Sequence, residues 1–90
     1  MADVRLSPQA IEAYAQLEKA GATPLPDAVD DALDILEADP GDSRGRRRSF
    51  TGGLWGIPVR DRDDDWLIIW EQDDAGIVRV RYLGADPFAS

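Results

Sequence analysis

Histidine and cysteine are both missing from the 90 residues. Their absence removes disulfides, thiolate nucleophiles, thiolate or imidazole metal sites and the side chain that most often moves protons near neutral pH. Carboxylates are the only metal ligands left, and their spacing is irregular, so neither a metal nor a cofactor is expected. No apolar run approaches the roughly 20 residues that a membrane span requires. The opening residues Met1-Ala2-Asp3-Val4-Arg5 carry no apolar stretch of the kind a secretory leader needs. The expectation is one small soluble domain over residues 1–90, cytoplasmic, with a single modest core.

Lysine is almost absent as well: arginine supplies nine of the ten basic residues, against 18 acids and a net charge of −8. That balance argues against non-specific nucleic-acid binding, but the charge is unevenly placed. Between Asp27 and Asp42 lie seven acids and no base; between Arg44 and Arg62 lie six arginines and a single acid, Asp61. The planar guanidinium fork suits phosphate or carboxylate better than an ammonium does. Arg46, Arg47, Arg48 and Arg62 are therefore candidate phosphate ligands, through which counterion release would supply RNA affinity. A solvated loop, or a partner for the acidic helix within the same chain, explains the cluster equally well.

Period decides the elements. Val4-Arg5-Leu6 reads as a short strand. Ser7 is a helix N-cap with Pro8 at the first helical position, and Ala10, Ile11, Tyr14 and Leu17 recur at helical spacing until Gly21. Thr23-Pro24-Leu25-Pro26-Asp27 opens a second helix, whose buried stripe is Leu25, Val29, Ala32, Leu33 and Leu36 and which Pro40-Gly41 ends. The short break between the two implies a helical hairpin. Period then falls to two. Leu54 to Val59 is a strand, with Pro58 limiting its pairing, and Arg60 to Asp65 is a polar turn. Trp66 to Trp70 is apolar on both faces, as a central strand would be. Asp73-Asp74-Ala75-Gly76 is a turn. Ile77 to Leu83 sets Val78, Val80 and Tyr82 on one face and Arg79 and Arg81 on the other. With an extra strand around Arg46–Phe50, the order β-α-α-β-β-β(-β) predicts an α+β fold, the helical hairpin covering one face of a small antiparallel sheet.

With those elements placed, the chain resembles the RelE/ParE superfamily, the toxic halves of bacterial type II toxin–antitoxin pairs. The resemblance spans nearly the whole sequence. It includes Ser7-Pro8-Gln9-Ala10 after the first strand, the second helix closing from Leu36 to Pro40, and the basic segment Arg48-Ser49-Phe50-Thr51-Gly52. The YafQ-like branch is the nearest: Asp65-Trp66-Leu67-Ile68-Ile69-Trp70 matches its middle strand, and Tyr82-Leu83-Gly84-Ala85-Asp86-Pro87-Phe88 stands where its terminal histidine, aspartate and phenylalanine fall. The resemblance implies a toxin that is a ribosome-dependent, metal-independent mRNA endoribonuclease, inhibiting translation and neutralised by a cognate antitoxin. Its other implications are a RelE-fold interaction protein that has lost the nuclease, or a ParE-like inhibitor of DNA gyrase.

The same resemblance assigns the site. Asp65 stands as a candidate base, with Arg60, Arg79 and Arg81 to stabilise charge on a phosphorane-like transition state. Trp66 and Phe88 are candidate aromatic contacts to bases, while Trp66 also suits the core by its parity with Ile68 and Trp70, and Phe88 also suits a plug against the sheet. The family's terminal histidine position falls on Gly84 here, and an arginine of the wider RelE branch falls on Leu67. Arginine is a poor general acid, its proton being held far above neutral pH, so the residues offer none for the leaving oxygen.

Overall fold

The computed structural model describes residues 2–20, 25–60 and 65–88. Strand β1 (Val4–Leu6) leads into helix α1 (Pro8–Ala20) and helix α2 (Leu25–Ala38); a single 3-10 turn (Ser43–Gly45) precedes β2 (Arg48–Phe50), β3 (Leu54–Arg60), β4 (Asp65–Gln72) and β5 (Val78–Ala85). Thr23, Pro24, Arg62 and the centre of the polar turn lie outside the described residues, as does the side chain of Leu25.

The five strands form one sheet in the order β1-β5-β4-β3-β2. The fold is α+β as expected, but the sheet is mixed: β1 runs parallel to β5, pairing Val4 with Val78 and Leu6 with Val80. Only the β2-β3-β4-β5 meander is antiparallel. The two helices carry the chain from β1 at one edge of the sheet to β2 at the other, and the meander then returns β5 to lie beside β1; a parallel pair needs such a long connection.

One face of the sheet meets both helices. Ile57, Val59, Ile68, Trp70, Val78, Val80 and Leu83 are buried there against Ala10, Leu17, Val29, Ala32 and Leu36, and Trp55 and Trp66 pack at the margin. Trp66 thus takes its core role. Ile11, one of the apolar positions that recur at helical spacing in α1, is 56% exposed.

The ladder between β4 and β5 slips between Ile69 and Trp70, which pair with Tyr82 and Val80. Arg81 is the extra residue, and a one-residue insertion turns every later side chain to the opposite face. Leu83, not Tyr82, therefore joins Val78 and Val80 in the core. The start of α1 supplies partners for backbone groups at this slip. Ser7 Oγ donates to the Arg81 carbonyl and accepts from the Ala10 N–H; the Gln9 amide both donates to the Leu83 carbonyl and accepts from its N–H. The Ser7 cap thus ties helix to sheet as well as satisfying a free N–H in the first turn of the helix.

Candidate functional site: an arginine-bearing sheet face and its edge

The opposite face of the sheet carries Arg5, Arg48, Arg79 and Arg81, as the alternation predicts, together with Leu67 and Ile69. Each of these guanidiniums meets a carboxylate of the same chain. Arg79 Nε lies 3.0 Å from Asp73, Arg48 2.8 Å from Asp86 and Arg5 3.3 Å from Asp3. Arg81 grips Glu71 from the bulge. At the far end of the sheet Arg60 pairs across the strands with Asp65 at 3.4 Å. The two candidate groups are brought together there, while Arg79 and Arg81 lie towards the other end of β4, beside Glu71. The geometry makes two clusters out of the four residues assigned to one.

The acid partners were missed in the sequence, although a signal was present. A hairpin turning at Asp73–Gly76 sets Glu71 opposite Arg79 and brings Asp73 within reach of the same guanidinium. The Asp73 carboxyl is held below the usual carboxylate range, first by the Ile77 N–H and then by Arg79 and the Ala75 N–H.

The basic segment resolves residue by residue. Arg44 forks onto Asp42, which accepts from both its side chain and its backbone N–H, drawing the Asp42 carboxyl down to about 2. Arg46 lies over Trp55 and Trp70, 4.9 and 5.8 Å from the ring centroids, and donates to the Pro40 carbonyl. Gly45 sits so close to the core that a Cβ would stand 2.9 Å from Leu36 Cδ2. Its carbonyl accepts the buried Trp70 Nε1–H at 2.7 Å. Arg48 is tied to Asp86, whose side chain is only 2% exposed. Three of the four expected phosphate ligands are described, and two of them, Arg46 and Arg48, hold the loop in place. Arg47 is exposed, and it has no carboxylate partner among the described residues.

The chain's last described residues fold over the arginine-bearing face. Asp86 accepts from Arg48 and from the Phe88 N–H, and the Phe88 ring stacks on Phe50 at 5.6 Å. Gly56 leaves the room beneath: a Cβ there would lie 2.8 Å from Phe50 and 3.3 Å from Leu67. Phe88 acts as a partial plug, 63% of it still facing solvent.

Beside this face runs an edge. β2 pairs with β3 only over Leu54–Gly56, so Ile57 to Arg60 has β4 on one side and no strand on the other among the described residues. Pro58, without an N–H, prevents the ladder from continuing. Between this edge and α2 lies an open groove of about 320 Å³, floored by Ala28, Ala32, Ile35, Ile57 and Val59 and rimmed by Arg44, Arg47 and Arg60.

No group of three or more carboxylates among the described residues is placed to hold a metal ion. No helix among them is long and apolar enough to cross a membrane. Comparison of the chain with protein-family models, curated proteins and solved structures finds no match in any of the three.

Proposed function

We propose that this chain is a toxin-like protein of a type II toxin–antitoxin pair, and that it acts by binding its target and its antitoxin rather than by cutting RNA. The element order and the helical pair on one face of the sheet support the RelE/ParE-like frame. The observation that carries the mode of action is the pairing of Arg60, Arg79 and Arg81 with Asp65, Asp73 and Glu71. A guanidinium already neutralised by a carboxylate gives little net field to a developing phosphorane, and among the described residues no side chain beside it is suited to protonate the leaving oxygen. A net charge of −8 also opposes long-range approach to ribosomal RNA.

One observation favours the endoribonuclease reading instead. Arg60 and Asp65 are close, and their side chains are 69% and 47% exposed, so a substrate phosphate could displace their pairing and leave Asp65 free as a base. Induced expression, alone and with the neighbouring open reading frame, separates the readings. Binding predicts growth arrest relieved by the neighbour, with cellular transcripts intact. Fragmented mRNA, restored to full length by Asp65→Ala, would establish the nuclease. Unimpaired growth at high expression would remove the toxin reading altogether.

A further inference from the structure

The basic segment holds one hydroxyl that the fold leaves unused. Four serine and threonine residues are described, and each meets different surroundings. Ser7 Oγ is engaged by the Arg81 carbonyl and the Ala10 N–H. Ser43 follows Asp42 in the chain, and Thr51 lies in the turn beyond β2. Ser49 is exposed at the middle of β2, and Arg46, Arg47 and Arg48 directly precede it. Its hydroxyl has no hydrogen-bond partner among the described residues. β2 is an edge strand of three residues, and the turn after it bends through Gly52 and Gly53 at φ of +86° and +79°. The hydroxyl thus sits on an extended, solvent-facing segment with a strand on one side only among the described residues.

We propose that Ser49 is a phosphorylation site for a serine/threonine kinase that selects arginine on the N-terminal side of its target, and that Arg46 and Arg47 receive the phosphate. In the transfer, the Ser49 hydroxyl attacks the γ-phosphorus of a nucleoside triphosphate bound to the kinase. The new P–O bond forms as the bond to the bridging oxygen breaks, the nucleoside diphosphate leaves, and the hydroxyl proton passes to a carboxylate of the kinase. Register sets the receiving geometry. Ser49 lies opposite Trp55, so the two side chains leave the sheet on the same face, with Cβ atoms about 5 Å apart. The Arg46 guanidinium lies over that same ring, 4.9 Å from its centroid. Its Nε–H goes to the Pro40 carbonyl, and its two Nη nitrogens are left to donate. Arg47 stands two residues before Ser49 and lines the helix side of the sheet with Ile57 and Val59. It is the one described arginine with neither a carboxylate nor an aromatic partner. A phosphoserine adds about −1.5 to −2 charges and three acceptor oxygens, which beside an arginine cluster form new charge-assisted hydrogen bonds. No carboxylate pair has to break for this, because Arg48 holds Asp86 on the opposite face. Phosphorylation then neutralises the segment's free guanidinium and closes it to other anions. The inference goes beyond the binding reading and does not rest on it.

The test incubates the full chain with ATP and the catalytic domain of an arginine-selecting serine/threonine kinase, and locates phosphate by mass spectrometry. One phosphate at Ser49 is expected, and none after Ser49→Ala. Arg47→Ala, an exposed substitution that breaks no pair, is expected to lower kcat/KM of the phosphorylation by about tenfold. A second measurement reads the product. In phosphorus NMR the phosphoserine of the folded chain should titrate at lower pH than that of the same chain unfolded in urea, because nearby guanidiniums favour the dianion. Arg47→Ala in the phosphorylated chain should move the folded titration part of the way back. Phosphate placed on Ser43 or Thr51 instead would overturn the inference, as would no transfer under conditions that label a free peptide of residues 44–52. A phosphoserine that titrates alike folded and unfolded would overturn the role given to Arg46 and Arg47. Growth arrest and its relief report on the toxin–antitoxin reading and phosphate on Ser49 does not, so either can fail while the other stands.

Discussion

At the scale of single residues, the basic segment shows how a charge cluster is divided between structure and surface. Arg46 and Arg48 look alike in the sequence, yet one lies on two tryptophans and the other is locked to Asp86. Asp86 is the residue on which the arginine-bearing face most depends, because its carboxylate is buried and orients both Arg48 and the Phe88 backbone. Removing one member of a buried pair leaves the other uncompensated, at about 3–5 kcal/mol when burial is complete. Arg48 keeps 29% of its side chain in water, so a smaller loss is expected. Asp86→Ala should cost roughly 2–3 kcal/mol in urea unfolding. A loss within ~0.5 kcal/mol, the ordinary range of surface substitutions, would mean that the pair contributes nothing. Trp70→Phe is the matching change beneath the loop. It strands the Gly45 carbonyl and opens a small cavity, so a loss of about 2–4 kcal/mol is expected. Amide hydrogen exchange through residues 43–48 should speed up with it; unchanged exchange there would show that the indole N–H does not anchor the loop.

At the scale of elements, periodicity in the sequence was informative wherever the ladder is regular. Ser7-Pro8, the stripe Val29, Ala32 and Leu36, and the alternation of Trp66, Ile68 and Trp70 each express a local rule, and the structure follows them. Two features escaped because nothing local encodes them. The parallel pairing of β1 with β5 joins residues from opposite ends of the chain, and the bulge at Arg81 breaks a period-two pattern without any glycine to mark it. The candidate site was legible in residue type but not in pairing. Which acid neutralises Arg79 depends on the register of the β4-β5 hairpin, and the value of Arg47 depends on where β2 stops. That hairpin gives the pH test. Asp73 Oδ1 accepts from the N–H groups of Ala75 and Ile77, and Oδ2 accepts from Arg79. Its carboxyl is depressed in the folded protein, so the ionised form contributes stability above the usual carboxylate range, and that contribution is lost as pH falls through the folded value. Asp73→Asn keeps an acceptor oxygen but no charge. The variant should melt below the parent at pH 7, and the gap should close as pH falls from about 5 towards about 2. A gap that does not vary with pH would assign the loss to turn geometry rather than to charge.

For the whole molecule, the question is whether its internal ion pairs or its surplus of acid dominates. Six ion pairs occur among the described residues, all but the Arg48–Asp86 pair with at least one partner substantially exposed. Exposed pairs of this kind contribute about 0–1 kcal/mol each. Against them stands a net charge of −8 on a body only 37 × 26 × 21 Å across, with acids concentrated on α2 and the turn that follows it. Like charges on such a body mostly sit farther apart than the contacting pairs do. Salt with a screening length of about 10 Å at 0.1 M therefore weakens the repulsion more than the contacts. Self-repulsion of this size destabilises the compact state, so its removal should be visible in melting. Raising sodium chloride from about 20 mM to about 300 mM at neutral pH should raise Tm by several degrees, with most of the gain complete near 0.15 M, where the screening length has already fallen to about 8 Å. Arg47→Glu, which adds to the surplus without breaking a pair, should make the salt response steeper. A Tm that falls with salt would mean that the paired guanidiniums outweigh the acidic surplus, and that the arginine-bearing face is a principal source of stability rather than a surface held ready for partners.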